Sequence, residues 1–278
     1  MVDKLNGFRG GVVAFLLALF TLTSHAQEQA FKIGVAPHSS ARLILKLYQP
    51  LREHLTRELG RPVEVVTAPN FTEFLRRAIN QEYDMVVTTG NQSRMLQVDA
   101  GYRPFLTYKA DFKAVTVVDV DSRYRKARDL KGQVLLGLNP ASLVTQWGMH
   151  WARDHGLGSN EVRYVSAADS VAQLLLAGDA AAGFISLANF QQLTPEVQQG
   201  LRIIARSPTM AGRIYSLNGR NAALAGTIEA AVWSFARTEA GKRYFSQYKL
   251  KGYRTLRPRE LESMDPYADD LRKTLRRL

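Results

Sequence analysis

The stretch FKIGVAPHSSARLILKLYQPLREHLTRELGRPVEVVTAPNF, residues 31–71, changes hydrophobic period twice, and those changes decide the fold class. Residues 31–36 form a short apolar run of strand type, and P-V-E-V-V-T-A at 62–68 forms another. Between them Leu43, Leu47, Leu51, Leu55 and Leu59 recur as one helical stripe, which Gly60 ends. Strand, helix and strand in this order predict a crossover unit with parallel strands, helices covering the sheet on both faces.

The alternation continues outward. A helix over 71–79, a strand over 83–89, a helix over 92–98 and a strand over 104–108 complete one series. After a strand at 112–120 a second series begins, with strands at 134–138, 162–165, 181–185 and 202–205. Helices over 142–154, 170–177 and 188–198 separate them. A strand at 213–217 precedes helices over 221–237, 239–247 and 267–277. The expectation is an α/β protein of two lobes, the chain returning to the first: residues 27–111 with 208–278, and residues 112–207.

The N-terminus reads differently. Lys4 and Arg9 precede an apolar run from Val12 to Leu22, followed by Ser24-His25-Ala26. That run is shorter than the roughly 20 residues a bilayer span needs, and its flanks are those of a cleaved secretory signal over residues 1–26. The chain contains no cysteine, which excludes disulfides, thiolate zinc sites, a thiol nucleophile and a lipid-modified N-terminus. A soluble protein exported to a Gram-negative periplasm is expected.

Lys and Arg number 37 against 25 Asp and Glu, a formal net charge of +12, which favours anionic partners through the long-range field. Export removes nucleic acid, and no basic run is interleaved with aromatics as single-strand binders require. Arg254, Arg257, Arg259, Arg272, Lys273, Arg276 and Arg277 gather near the C-terminus and read as a solvated face. No G-x-x-x-x-G-K-[ST], G-x-S-x-G or H-E-x-x-H pattern occurs. His150 and His155, five residues apart, do not share a helical face, and Trp147, Trp151 and Trp233 stand at core-type positions. The expectation is a monomer that is not an enzyme and carries neither cofactor nor metal.

Ligands of parallel sheets gather where strand C-termini meet helix N-termini, whose N–H groups attract anions. Five such turns are readable, each polar and free of acids. Their candidate contacts are His38 and Ser39, Asn70 and Phe71, Thr89 and Asn91, then Asn139, Ser142 and Thr145, and finally Ser186. Taken singly, Ser, Thr and Asn at such places are ordinary helix caps. Their convergence on one predicted rim points to a small oxyanion or polar organic anion held by hydroxyls and helix N-termini rather than by salt bridges.

The succession F-K-I-G-V-A-P, L-T-R-E-L-G-R-P-V-E-V-V-T-A-P-N-F, Y-D-M-V-V-T-T-G-N, F-K-A-V-T-V-V-D-V-D-S, D-L-K-G and G-L-N-P-A-S resembles the periplasmic solute-binding proteins of phosphate/phosphite/phosphonate (PhnD-like) ABC transporters over roughly residues 31–250. The resemblance implies the type II periplasmic binding fold, two α/β lobes closing on a central ligand cleft about a hinge near Ala110–Phe112 and Ser207–Ala211. It also implies a partner, an ABC permease; a second reading is a ligand sensor docking on a membrane kinase or cyclase. The family's hydroxyl-rich oxyanion turn lines up with Leu138–Leu143, matching at Asn139 and Ser142, with Pro140 and Ala141 replacing two hydroxyl residues. Phe71 stands where many relatives carry Tyr, Thr89 where phosphonate binders often carry an aromatic, and Ala168 where the family has His. Ile185-Ser186 replaces an acid or amide, so the groups that would grip an aminophosphonate's ammonium are not visible.

Overall fold

The computed structural model describes residues 29–276; the leader expected over residues 1–26, and Arg277, lie outside them. The first series gives β1 (Phe31–Val35), α1 (Ala41–Leu59), β2 (Val63–Val66), α2 (Phe71–Ile79), β3 (Met85–Thr89), α3 (Gly90–Asp99) and β4 (Tyr102–Tyr108). The second gives β5 (Ala114–Asp119), β6 (Leu135–Gly137), α4 (Leu143–Asp154), β7 (Val162–Tyr164), α5 (Ala168–Leu176), β8 (Ala182–Ser186), α6 (Leu187–Phe190), α7 (Pro195–Gln199) and β9 (Leu201–Arg206). The chain then returns through β10 (Arg213–Asn218), α8 (Ala225–Phe235), α9 (Glu239–Gln247), β11 (Tyr253–Arg254) and α10 (Asp265–Leu275).

Two sheets result, ordered β11-β4-β10-β3-β1-β2 and β7-β6-β8-β5-β9. They are mixed rather than parallel, which corrects the expectation from alternation. β1, β2 and β3 pair in parallel, but β10 lies between β3 and β4 and is antiparallel to both. In the second sheet β6, β7 and β8 are parallel, and β5 runs antiparallel to β8 and β9. The hydrophobic period carries no strand direction. β5 and β10 are the strands by which the chain enters the other sheet, and they run against the strands they pair with. β11, at the edge of the first sheet, shares the direction of β10.

The crossing segments pair with each other. Phe112 bridges Met210, the Met210 N–H donates to the Phe112 carbonyl at 2.9 Å, and the Ala114 N–H donates to Ser207 Oγ at 2.9 Å. A cluster containing Ala114, Phe184, Met210, Ala211 and Ile214 runs through this junction, so both sheets share apolar core there. Burial of Phe184, Met210 and Ile214 contributes about 1.5–3 kcal/mol each relative to exposure.

Other differences from the sequence reading have local causes. Leu47, Leu51 and Leu55 of α1 are buried, whereas Leu43 is 46% exposed. At 3.6 residues per turn a four-residue repeat drifts around the helix, and Ile44 and Tyr48 take over the inner face. The helix expected over 188–198 is two short ones, because Pro195 lacks an N–H and begins α7 at its first turn. The segment 219–224 is a 3-10 turn before α8. The basic C-terminus is not simply a solvated face. Arg272 forks onto Asp99 at 2.7 and 2.9 Å, and Arg254 onto Glu260 at 2.7 and 2.6 Å. The Arg272 pair, with Arg94 and Asp265 at 2.6 Å, ties α10 to α3. Among the described residues no helix is long and apolar enough to cross a membrane.

Candidate functional site

The parallel strands of both sheets end in the five turns of interest, and their polar side chains divide into two kinds. Ser40 accepts from the Leu43 N–H, Asn70 Oδ1 accepts from the Glu73 N–H at 2.9 Å, and Ser186 Oγ accepts from the Asn189 N–H at 3.0 Å. These three are spent as caps. Thr89 and Ser142 occupy the N-cap positions of α3 and α4 and make no cap bond. The first-turn N–H groups of both helices therefore remain without a side-chain acceptor.

Those two uncapped helix ends are brought together. Asn91 Nδ2 donates to Gln146 Oε1 at 2.8 Å and to the Ala141 carbonyl at 3.3 Å, and Gln92 Nε2 reaches the same carbonyl at 3.2 Å. Thr89 Oγ1 donates to Asn91 Oδ1 at 2.7 Å, which sets the amide's orientation. Asn91, Gln92 and Gln146 are buried, and Gln146 Nε2 has no hydrogen-bond partner. A buried amide donor left unpaired costs about 1–3 kcal/mol unless something accepts from it. Gly90 permits the approach, since a Cβ there would stand 2.6 Å from both the carbonyl oxygen and the Cβ of Ala211.

The turn that resembles an oxyanion loop is largely occupied by itself. Asn139 Oδ1 accepts from the Ala141 N–H at 2.9 Å, and the Asn139 carbonyl accepts from the Ser142 N–H at 2.8 Å. Thr145 Oγ1 accepts from the Leu138 N–H at 2.8 Å, so it braces its own strand. Ala141 packs into a cluster with Ala36, Ala68 and Phe74 of the first sheet. Ser142 is the polar side chain of this turn that none of these bonds consumes. Phe71 is half-buried against the same cluster, and Ser186 Oγ also donates to Asn189 Oδ1 at 2.7 Å.

His38 and Ser39 lie half-buried in the turn before α1. His38 Nδ1 lies 2.8 Å from the Ala36 carbonyl, which can only accept, so Nδ1 carries the proton and Nε2 presents a lone pair. Nε2 is buried and unpartnered. Burial, then the charge of Arg213, pushes the His38 pKa down to about 3, so the ring is neutral near pH 7.

Sequence reasoning missed three residues here: Gln146, Arg213 and Tyr48. Arg213 opens β10 directly opposite Thr89 in the ladder, on the face that carries Tyr215 and Leu217. Burial works to lower its pKa, but the ionisable neighbours, the neutral phenols of Tyr48, Tyr108, Tyr244 and Tyr215, act the other way and leave it raised. The available signal was R-I-Y-S-L-N itself, where a charge occupies the apolar face of an alternating strand. Among the described residues no group that could hold a metal is formed, and His150 instead meets Asp270 at 2.6 Å and stacks on Tyr267.

A family model described as ABC transporter, phosphonate, periplasmic substrate-binding protein matches residues 33–261. Among solved structures, PhnD1 from Prochlorococcus marinus in complex with methylphosphonate is similar at a TM-score of 0.77 and 13% identity, covering 88% of this chain and 98% of that one. XAC2383 from Xanthomonas citri bound to ATP gives a TM-score of 0.75 at 18% identity, with 88% and 98% covered. A binding protein component of an ABC phosphonate transporter from Pseudomonas aeruginosa gives 0.73 at 12% identity, with 86% and 85% covered. Identities this low show the shared fold, the two-sheet type II periplasmic binding architecture. No curated protein matches the chain by sequence.

Proposed function

The chain belongs to the periplasmic substrate-binding proteins of phosphonate ABC transporters, and from that premise we propose that it captures a small phosphonate-type oxyanion between its two sheets and delivers it to a membrane permease. One observation carries the reading. The two N-cap residues whose side chains do not cap, Thr89 and Ser142, belong to the two helix ends that Asn91 joins, beside the unpartnered Gln146 Nε2. Helix N-termini offer N–H donors and a favourable dipole to an anion, and buried donors cost no reorganisation when it arrives.

In this reading Ser142, Gln146 Nε2 and the backbone N–H groups that open α3 and α4 hold the phosphonyl oxygens, while Thr89 and Asn91, whose own hydrogens are spent within the junction, fix its geometry. Asn139 and Thr145 shape the turn, and Asn70, Phe71 and Ser186 support the rim. The paired crossings at Ala110–Phe112 and Ser207–Ala211 serve as the hinge, dividing the chain into lobes of 27–111 with 208–278 and of 112–207. Ligand binding favours the closed arrangement that the permease recognises. Residues 1–26 direct export, and the mature protein acts as a monomer without catalysis. The family match supports delivery to an importer; the reading as a docking partner of a membrane kinase or cyclase draws no support from it.

Isothermal titration of the mature protein against methylphosphonate, phosphate, phosphite, an alkylsulfonate and a neutral sugar tests this. Saturable binding of the phosphorus oxyanions is expected, and ligand at 100 times its Kd should stabilise the fold by about 2.7 kcal/mol. Binding of the sugar with none of the anions would sink the proposal.

A further inference from the structure

Arg213 is a part-buried cation without a counter-ion. Among the described residues no carboxylate lies within ion-pair distance of its guanidinium, and the ionisable groups acting on it are four tyrosines. Three of these satisfy one another. Tyr108 Oη lies 2.6 Å from both Tyr215 Oη and Tyr244 Oη, and Tyr215 Oη lies 3.1 Å from Tyr253 Oη. Tyr48 is excluded from that chain: its ring is 6.4 Å from that of Tyr244, it is fully buried, and its hydroxyl has no partner. His38, neutral on this side of the site, neither neutralises the guanidinium nor competes for an anion.

A part-buried charge with no ion-pair partner and a buried hydroxyl with no hydrogen bond are each costly. One acidic group placed between them satisfies both, with the guanidinium forming a charge-assisted pair and the phenol donating a hydrogen bond. The position of Arg213 decides which acid this is. It faces Thr89 across an antiparallel ladder, where paired Cα atoms stand about 4.5–5.5 Å apart. Thr89 in turn is bonded to Asn91, the residue that reaches Gln146. Arg213 and the uncapped helix ends thus adjoin through one threonine, within the span of a short organic molecule.

We propose that Arg213 and Tyr48 form a second subsite that takes a carboxylate on the tail of the ligand, making the cargo a short carboxylated phosphonate rather than a simple alkylphosphonate. This rests on the reading that the phosphonyl group occupies the Thr89–Ser142 junction.

Calorimetric titration of methylphosphonate, phosphonoacetate and 3-phosphonopropionate into the mature protein, Arg213→Gln and Tyr48→Phe tests it. The unaltered protein should bind one of the carboxylated compounds at least about tenfold more tightly than methylphosphonate, equivalent to about 1.4 kcal/mol. Arg213→Gln should weaken that compound at least about tenfold more than methylphosphonate, and Tyr48→Phe should act in the same direction by a smaller factor. Tyr48→Phe removes a hydroxyl that bonds nothing, so it keeps the test open should Arg213→Gln fold poorly. Methylphosphonate binding with no carboxylate preference overturns this subsite alone, as does an equal loss of both ligands on Arg213→Gln. Failure of all three compounds to bind overturns the phosphonate reading with it.

Discussion

Asn91 of α3 and Gln146 of α4 share a 2.8 Å hydrogen bond that joins a helix of the first sheet to a helix of the second. Asn91 is the donor, so Gln146 spends its oxygen on the contact and keeps its Nε2 hydrogens for something else.

Gln146→Glu preserves the acceptor for Asn91 while replacing the free donor with a negative charge. Affinity for methylphosphonate, read by calorimetry, should fall by tenfold or more, since a hydrogen bond to a charged group contributes about 1.5–3 kcal/mol. Unchanged affinity would remove Gln146 from the site.

Ser142 and Ser186 occupy equivalent cap positions with opposite employment. Ser186→Ala should lower unfolding free energy by about 1 kcal/mol, the usual cost of a lost cap, because its Oγ accepts from the Asn189 N–H. Ser142→Ala loses no cap bond, so chemical denaturation should show a change under about 0.5 kcal/mol while ligand affinity falls. The reverse order of the two stability effects would contradict these assignments.

Gly90→Ala introduces a methyl 2.6 Å from the Ala211 carbonyl oxygen, a backbone atom that cannot swing away. A loss of about 1–3 kcal/mol is expected from such overpacking, together with weaker ligand binding, because the clash lies where the crossing segment meets α3. A variant as stable as the parent would mean that the junction yields without cost.

His38 gives a pH signature. Its folded pKa of about 3 lies below the ordinary value of 6.5, so the unfolded chain takes up its proton first as the pH falls. This contribution is fully favourable above about pH 6.5 and is lost progressively down to about pH 3. His38→Asn retains a donor for the Ala36 carbonyl and removes the titration. Its melting temperature should therefore decline less than the parent's between pH 7 and pH 4. Parallel declines would show that His38 is not held neutral.

How much was readable depended on whether a signal was local. The strand and helix periods of residues 31–108 located every element of that half, and the five polar turns were correctly placed at strand ends. Strand direction was not readable, because β10 inserts antiparallel between β3 and β4 after the chain has built the second sheet. Nor was the employment of each hydroxyl: Ser, Thr or Asn before a helix looks the same whether it caps, as Asn70 does, or leaves the helix end open, as Ser142 does. Arg254 and Arg272 looked like solvated charges because Glu260 and Asp99 become their partners only in the folded chain.

The sequence by itself determined the α/β alternation, the polar acid-free turns and the family pattern, since each depends on residue type and spacing within a few turns of chain. The tertiary structure decided which turns meet and which groups stay unsatisfied. Thr89 and Arg213 are 124 residues apart and become neighbours through ladder register, and Asn91 finds Gln146 because two separately built sheets abut. Whether a polar atom is free depends on every group that comes within about 3 Å of it, and only the packed chain specifies them all.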